Sequence, residues 1–555
     1  MKTITELSDQ FVDEFATIDP VRAAFMGIGR DSTAITDWSP SGIEEMAALM
    51  RRTIGHLDRL TAVDDAERLG ASYLLDTATA ELGLIETGER ERRMSNEIGP
   101  PSLLLGAFEV MARNEPEDWE RIAVRMAAVP DALDGYVTAL RSGVQHDRVA
   151  SARLVAAVAD SCRRWAGNGD NGVFSSIAKE YGEGKLRAEL NAQAQRADQA
   201  YGRLADWLTD EYIAHSAERD GVGGDRYRVW AQAYVGVQGL DLDEAYDWAT
   251  VELARLEQDK LNECARILPG ASYSSVVDML QNDPRRAIEG VDEFRTWLQQ
   301  LADEALNSLH GTEFDIAEPL RQCGVQTPAE GWGFSPYYMP PSEDLSTHGR
   351  IVFPTAGAVR FPRWSYPTTV YHEGVPGHHL EVGANMVGRL TRAHRLGTNS
   401  AYSEGWALYA ERLMDELGWF TTPDTRLGFL SGQAFRAARV VLDIGLHTDR
   451  LIPQGHAHAG TPWTFEAAVS FLESASGLTR REATEEVLRY LSWPTQAIGY
   501  KLGERAWLAA REQARHTAGA AWNRRAWHSN ALALGPMTLD RLTIELARLG
   551  HGHPR

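Results

Sequence analysis

Apolar residues return at three- and four-residue spacing from Thr5 to about Cys162, and again from Pro367 nearly to the C-terminus. A chain patterned this way buries its apolar surface as packed amphipathic helices. Asp64 to Ile85, Pro130 to Leu140, Ala178 to Trp207 and Leu240 to Leu268 read as helices, the last opening after Asp241 or Asp243 as N-cap. Ala401 to Leu417, Gly428 to Leu446, Pro462 to Ser476, Arg480 to Leu491 and Gln496 to Thr517 continue the pattern. Residues 328–371 break it: aromatics, prolines and glycines crowd there, and Arg350 to Phe353 and Ala358 to Phe361 are short β-branched or aromatic runs. The expected fold class is mainly α, a large helical body with a small β-sheet or hairpin edging a cleft. Residues 1–320 read as a helical N-terminal region and residues 321–555 as a mostly helical region carrying the chemistry, one continuous body with the first.

Length and composition narrow the function classes. At 555 residues the chain can hold a large core, and 43% hydrophobic with 24% charged residues is an ordinary globular balance. A formal net charge of -22 with dispersed Lys and Arg argues against nucleic acid as a partner. The acidic opening MKTITELSDQFVDEF lacks an apolar signal core, and no run reaches the roughly 18 apolar residues of a spanning helix, so no membrane partner and a cytoplasmic location are expected. Cys162, Cys264 and Cys323 lie far apart without CxxC spacing and read as buried small hydrophobes. The Gly-rich loop from Asp220 to Asp225 lacks the Gly-Lys-Ser/Thr ending of a phosphate cradle and reads as a turn before a helix at Tyr227.

Chemistry concentrates in Tyr371-His372-Glu373-Gly374-Val375-Pro376-Gly377-His378-His379-Leu380-Glu381, where three imidazoles and two further carboxylates flank a Pro-Gly pair. Two neutral imidazoles holding a metal, with the carboxylate beside the first as general base, is the logic of a zinc hydrolase. That logic places the two histidines four apart on one helix. Here the separations from His372 are six and seven residues, about 9 and 10.5 Å along a continuous helix. Val375-Pro376 must therefore loop the chain. His378 is the second ligand if two residues loop out, and His379 if three. Glu404, 31 positions after Glu373 on the next long helix, is the candidate third ligand. Glu411, two turns later on the same face, is positioned to accept from a ligand histidine. Arg439, Asp443 and His447, spaced four apart, share one helix face and could direct a charge network at the cleft. His447 and Tyr500 are candidate oxyanion donors; Lys501 is a candidate grip for a substrate carboxylate, and Tyr338 a further candidate from the loop region. A row such as Arg439-Asp443-His447 also occurs as ordinary helix packing. His456, His458, His551 and His553 stand in Gly-rich contexts and read as solvent-exposed.

The segments HExxPGHH, EGWALYAE, RxxxDxGLH and PxQAxxYKxG run here as His372 to His379, Glu404 to Glu411, Arg439 to His447 and Pro494 to Gly503. In these the chain resembles a mostly bacterial domain-of-unknown-function family of metallopeptidase-like proteins in the thermolysin-like gluzincin group. The resemblance runs from about Met26 to near the C-terminus and is most specific over residues 371–503. Two departures are Thr495, where Gly is common, and Glu381, where Gln is common; neither is expected to touch a ligand. The resemblance implies a deep central channel, one zinc per chain and hydrolysis of peptide or amide bonds, with a small peptide or amino-acid-derived substrate suiting a channel lined by the aromatics from Trp332 to Tyr338. Fold does not fix chemistry, and two histidines with one carboxylate also suit Fe2+, so lyase, transferase or oxidative chemistry on a small metabolite is the alternative.

Overall fold

The computed structural model describes residues 2–168, 171–328, 335–343 and 345–549; Trp332, Phe334, His551 and His553 lie outside the described residues. The fold is mainly α with two small sheets and no closed barrel. Contacts divide it into two compact units, one of Met1–Val229, Thr391–Ala393 and Glu485–Pro494, the other of Trp230–Leu390, His394–Thr484 and Thr495–Arg555. The first unit's long segment ends at Val229. Helices before 320 belong with the second unit because they are bonded into it: Lys260 donates to the Ala475 carbonyl at 2.8 Å.

Within the first unit, Asp64 caps the helix Asp65–Glu86 by accepting from the Glu67 amide at 2.9 Å. The stretch expected as one helix from Ala178 to Trp207 is two, Val173–Glu180 and Arg187–Asp210. Gly182, at φ +72, ends the first.

The second unit carries the chemistry. Its long helix α1 (Leu242–Ile267) is capped by Asp241, which accepts from the amides of Asp243 and Glu244. Helix α2 (Val291–Leu309) lies beside two sheets. In one, β1 (Ala287–Glu289) pairs antiparallel with β5 (Arg360–Pro362). In the other, β2 (Gly324–Gln326), β3 (Tyr337–Met339) and β4 (Arg350–Val352) run in the order β2-β4-β3, with β4 parallel to β2 and antiparallel to β3. Phe294 of α2 stacks on Phe361 at 3.9 Å between ring centres and meets Tyr366 at 4.7 Å. That aromatic contact seats the start of α3 (Tyr366–Glu373).

Four more helices follow: α4 (His378–Val387), α5 (Ser400–Glu416), α6 (Pro423–Thr448) and α7 (Gln496–Ala518). Helices α5 and α7 touch through backbone. A methyl group on Gly405 would sit 2.4 Å from Gly503 Cα, and one on Gly503 would sit 2.1 Å from the Ala401 carbonyl oxygen. Only glycine permits this approach. Beside it, Trp406 and Trp507 are fully buried with ring centres 5.0 Å apart. A buried ion network ties α1, α5, α6 and α7: Lys501 Nζ donates to Glu252 at 3.1 Å, to Gln433 at 2.9 Å and to Glu504, while Arg412 donates to Glu504 at 2.7 Å. Lys501, a candidate grip for a substrate carboxylate, is thus held by Glu252, Gln433 and Glu504 of its own chain. Among the described residues no helix is long and apolar enough to cross a membrane.

Candidate metal centre

Helix α3 stops at Glu373 and α4 begins at His378, with Gly374, Val375, Pro376 and Gly377 forming the link. The Pro-Gly pair interrupts the helix, as its chemistry requires. Both glycines are demanded by space: a methyl group on Gly374 would meet the Ile351 side chain and the Val370 carbonyl at 2.7 Å, and one on Gly377 would fall 1.8 Å from the His372 carbonyl oxygen. Trp406 of α5 donates through Nε1 to the Pro376 carbonyl at 2.9 Å, fastening the link to the helix that carries Glu404.

The detour brings His378 back beside His372, with ring centres 5.0 Å apart and planes perpendicular. His372 Nε2 lies 3.3 Å and His378 Nε2 3.5 Å from Glu404 Oε2, and donor atoms of the three residues all lie within 4.8 Å of one another. Ligands about 2.0–2.1 Å from one tetrahedral cation stand about 3.3 Å apart, so this donor set fits such an ion. Each histidine is held from behind. His372 Nδ1 donates to Glu411 Oε1 at 2.7 Å, and Thr368 donates to the other oxygen of Glu411. His378 Nδ1 donates to Ser403 Oγ at 3.3 Å; Ser403 in turn donates to Glu381 Oε2 at 2.7 Å, and Asn385 donates to Glu381 Oε1 at 3.0 Å. Both acceptors fix the tautomer that leaves Nε2 facing Glu404. Glu381 thus backs a ligand histidine, contrary to its expected distance from the ligands.

His379 is placed elsewhere. Its Nε2 donates to the Leu320 carbonyl at 2.8 Å and its Nδ1 accepts from Tyr338 Oη at 3.1 Å, so neither nitrogen is free to hold a cation. Burial holds its pKa below the usual imidazole range. Tyr338 is correspondingly a support for His379. Of the later motifs, Tyr500 comes to the centre: its ring stacks against His372 at 6.4 Å with planes 18° apart, and the Arg439 guanidinium carbon lies 5.1 Å from its centroid. Asp443 accepts from the Thr495 amide at 2.9 Å, holding the turn that launches α7. Thr495 stands there at φ +70, a conformation that favours glycine. His447 is fully buried, with Nε2 3.8 Å from Asp443. It stands on α6 eight residues beyond Arg439, about 12 Å of rise. His458 is exposed, whereas His456 packs on Phe471 at 4.7 Å.

Burial pushes the Glu373 carboxyl above its ordinary range, opposed by the two histidines. Burial would raise the Glu404 carboxyl, but the His372 and His378 rings beside it hold it well below its ordinary range. Sequence reasoning missed Thr368, Ser403 and Arg436. Thr368 and Ser403 were findable, one turn before His372 and one residue before Glu404.

Two solved structures share the fold. A "putative lipoprotein" from Colwellia psychrerythraea is 19% identical with a TM-score of 0.84, covering 99% of this chain and 100% of that one. A "putative lipoprotein of unknown function" from Shewanella oneidensis is 16% identical with a TM-score of 0.73, covering 98% and 100%. No curated protein matches. Residues 20–546 match the family described as bacterial protein of unknown function, DUF885, and the chain belongs to that family.

Proposed function

We propose that this chain is a zinc-dependent hydrolase cleaving peptide or amide bonds in small peptides or amino-acid conjugates. The observation that carries the proposal is the convergence of His372 Nε2, His378 Nε2 and Glu404 Oε2, with Glu373 next in sequence to the first of them. When bound, zinc would supply Lewis acidity to the scissile carbonyl and to the attacking water. Glu373 takes the proton of that water and delivers it to the leaving nitrogen, a role suited to a carboxyl whose pKa burial has raised. Glu411, and Ser403 with Glu381, hold the two imidazoles. Tyr500, stacked on His372, is the side chain we assign to the developing oxyanion. Partial exposure of Glu373, His378, Glu404 and Tyr500 supports access for a small substrate.

A cytoplasmic location is part of the proposal and rests on three buried, unpaired cysteines; the lipoprotein label of the two structural neighbours points to an envelope location instead, and cell fractionation decides. The enzymatic test is elemental analysis of the purified protein and of Glu404→Ala, followed by peptide hydrolysis before and after chelation. The expected result is about one zinc per chain, lost in the variant, with hydrolysis abolished by chelator and restored by zinc. Stoichiometric iron, or zinc without hydrolysis of any peptide or aminoacyl amide, overturns it.

A further inference from the structure

Helices α5 and α6 and the first turns of α7 are largely buried, and their partly exposed residues near the donor set are few: Ser403 and Glu404 on α5, Gly432, Phe435 and Arg436 on α6, and Tyr500 on α7. These partly exposed residues mark where solvent reaches the helices beside the donor set. Among the described residues the partly exposed cation there is Arg436, whose guanidinium carbon lies 6.0 Å from the Tyr500 ring, on which His372 stacks at 6.4 Å. Arg439, 5.1 Å from the same Tyr500 ring, is buried. A methyl group on Gly432 would lie 3.0 Å from Arg436 Nη1 and 3.9 Å from Glu411 Oε2, so the guanidinium and the carboxylate behind His372 flank the same point.

Among the described residues Arg436 makes no direct hydrogen bond to a carboxylate; its charge acts on Glu373 and Glu411 only at longer range. Its Nη1 donates to the Gly432 carbonyl at 3.3 Å, and its buried Nε has no acceptor. Other basic groups nearby are engaged: Lys501 with Glu252 and Glu504, and Arg412 with Glu504. A half-buried guanidinium with unused donors is costly unless an anion completes it, and its planar fork matches a carboxylate. The two separations from the Tyr500 ring, 6.4 and 6.0 Å, together bound the distance from the His372 ring centre to the Arg436 guanidinium carbon. With the contact lengths at each end subtracted, one or two residues at about 3.6 Å each fit between a scissile carbonyl at the donor set and a carboxylate at Arg436.

We infer that Arg436 binds the free α-carboxylate of the substrate, so that the bond cleaved is the last or next-to-last before a C-terminus. The substrate class is short peptides and N-acyl amino acids with a free acid, and the action is that of a carboxypeptidase or dipeptidase. The inference rests on the hydrolase reading above for its chemistry, though not for the anion site itself.

The test compares each peptide with its C-terminal amide in the zinc-loaded enzyme, in wild type, Arg436→Gln and Arg436→Lys, with thermal melts to show that the variants fold. Wild type should favour the acid by about tenfold to hundredfold in kcat/KM, chiefly through KM. Arg436→Gln should bring the ratio near one, and Arg436→Lys should restore part of it. A wild-type ratio near one, or a ratio that survives Arg436→Gln, overturns the inference. An equal fall in kcat on acid and amide also overturns it, because that result makes Arg436 an oxyanion donor. Calorimetric titration of N-acetylphenylalanine against its amide judges the anion site without turnover. If nothing is hydrolysed, the hydrolase reading fails. The anion site still stands if the acid binds more tightly in wild type and not in Arg436→Gln, and falls if it does not.

Discussion

Replacing Gly377 by alanine tests whether the α3 to α4 link sets the donor geometry. The added methyl would lie 1.8 Å from the His372 carbonyl oxygen and 2.5 Å from that of Tyr371. Carbon and oxygen need about 3.2 Å, so the strands of the link must part by about 1.4 Å; overpacking of this kind costs about 1–3 kcal/mol. Residue 377 immediately precedes His378, and the clashing carbonyl belongs to His372. The displacement therefore falls between two donors, whereas a metal site tolerates about 0.2 Å. We expect zinc affinity to fall by about a hundredfold, the upper end of what disturbed support around a metal costs. The readout is thermal or chemical unfolding with and without zinc. At free zinc 100 times the wild-type Kd, binding stabilises wild type by about 2.7 kcal/mol, and a hundredfold weaker variant by only about 0.4 kcal/mol. A Gly377→Ala protein that unfolds cooperatively and keeps the full zinc increment would refute the role of the link.

Glu411→Gln keeps the shape of the group that accepts from His372 Nδ1 but removes its charge; zinc affinity should fall by about tenfold to a hundredfold, read by chelator competition, with an unchanged fold. Lys501→Ala removes one cation from Glu504 and Glu252 but leaves Arg412 on the first and Arg255 on the second, and should cost about 1–3 kcal/mol in denaturant unfolding; a loss under about 0.5 kcal/mol would mean that the network is solvated. His528 donates from Nδ1 to the Glu313 carbonyl and accepts from Tyr409, and burial pushes its pKa down to about 3. Its folded pKa lies below the unfolded value near 6.5, so its contribution is complete above pH 6.5 and is lost as pH falls toward the folded value. Between pH 7 and pH 5 that loss is about 2 kcal/mol; the stability gap between wild type and His528→Gln should narrow by that amount, and a gap independent of pH would show that His528 titrates normally.

Much of the helical architecture was legible because helix periodicity and caps are local. Asp64 and Asp241 start their helices where their side chains can accept from the first turn, and the Pro-Gly pair breaks the helix where it stands. The donor set was legible in part: spacing named His372 and Glu404 but left His378 and His379 open, because one residue of loop length decides between them and loop length is a tertiary matter. The Leu320 carbonyl, 59 positions away, settles His379. Lys501 and Arg436 show the same limit from the other side. A basic residue beside Tyr500 reads as a substrate grip until its partners are known, and those partners, Glu252 and Gln433, come from helices far off in sequence. Arg436 carries no motif that would mark it. Glu381 went unassigned because its link to His378 passes through Ser403.

The glycine-to-glycine seam between α5 and α7 has a mechanical meaning. Side chains at most helix interfaces can exchange rotamers and let the helices slide by an ångström or two. Gly405 and Gly503 offer no rotamers, and the Ala401 carbonyl lies against the seam. Glu404 is the immediate neighbour of the seam on one helix, and Tyr500 is less than one turn from it on the other. The acid of the donor set and the phenol facing it therefore travel as one piece. If the chain is the hydrolase proposed above, substrate entry and product release fall to other elements of the second unit, with the spacing between these two groups held by the seam.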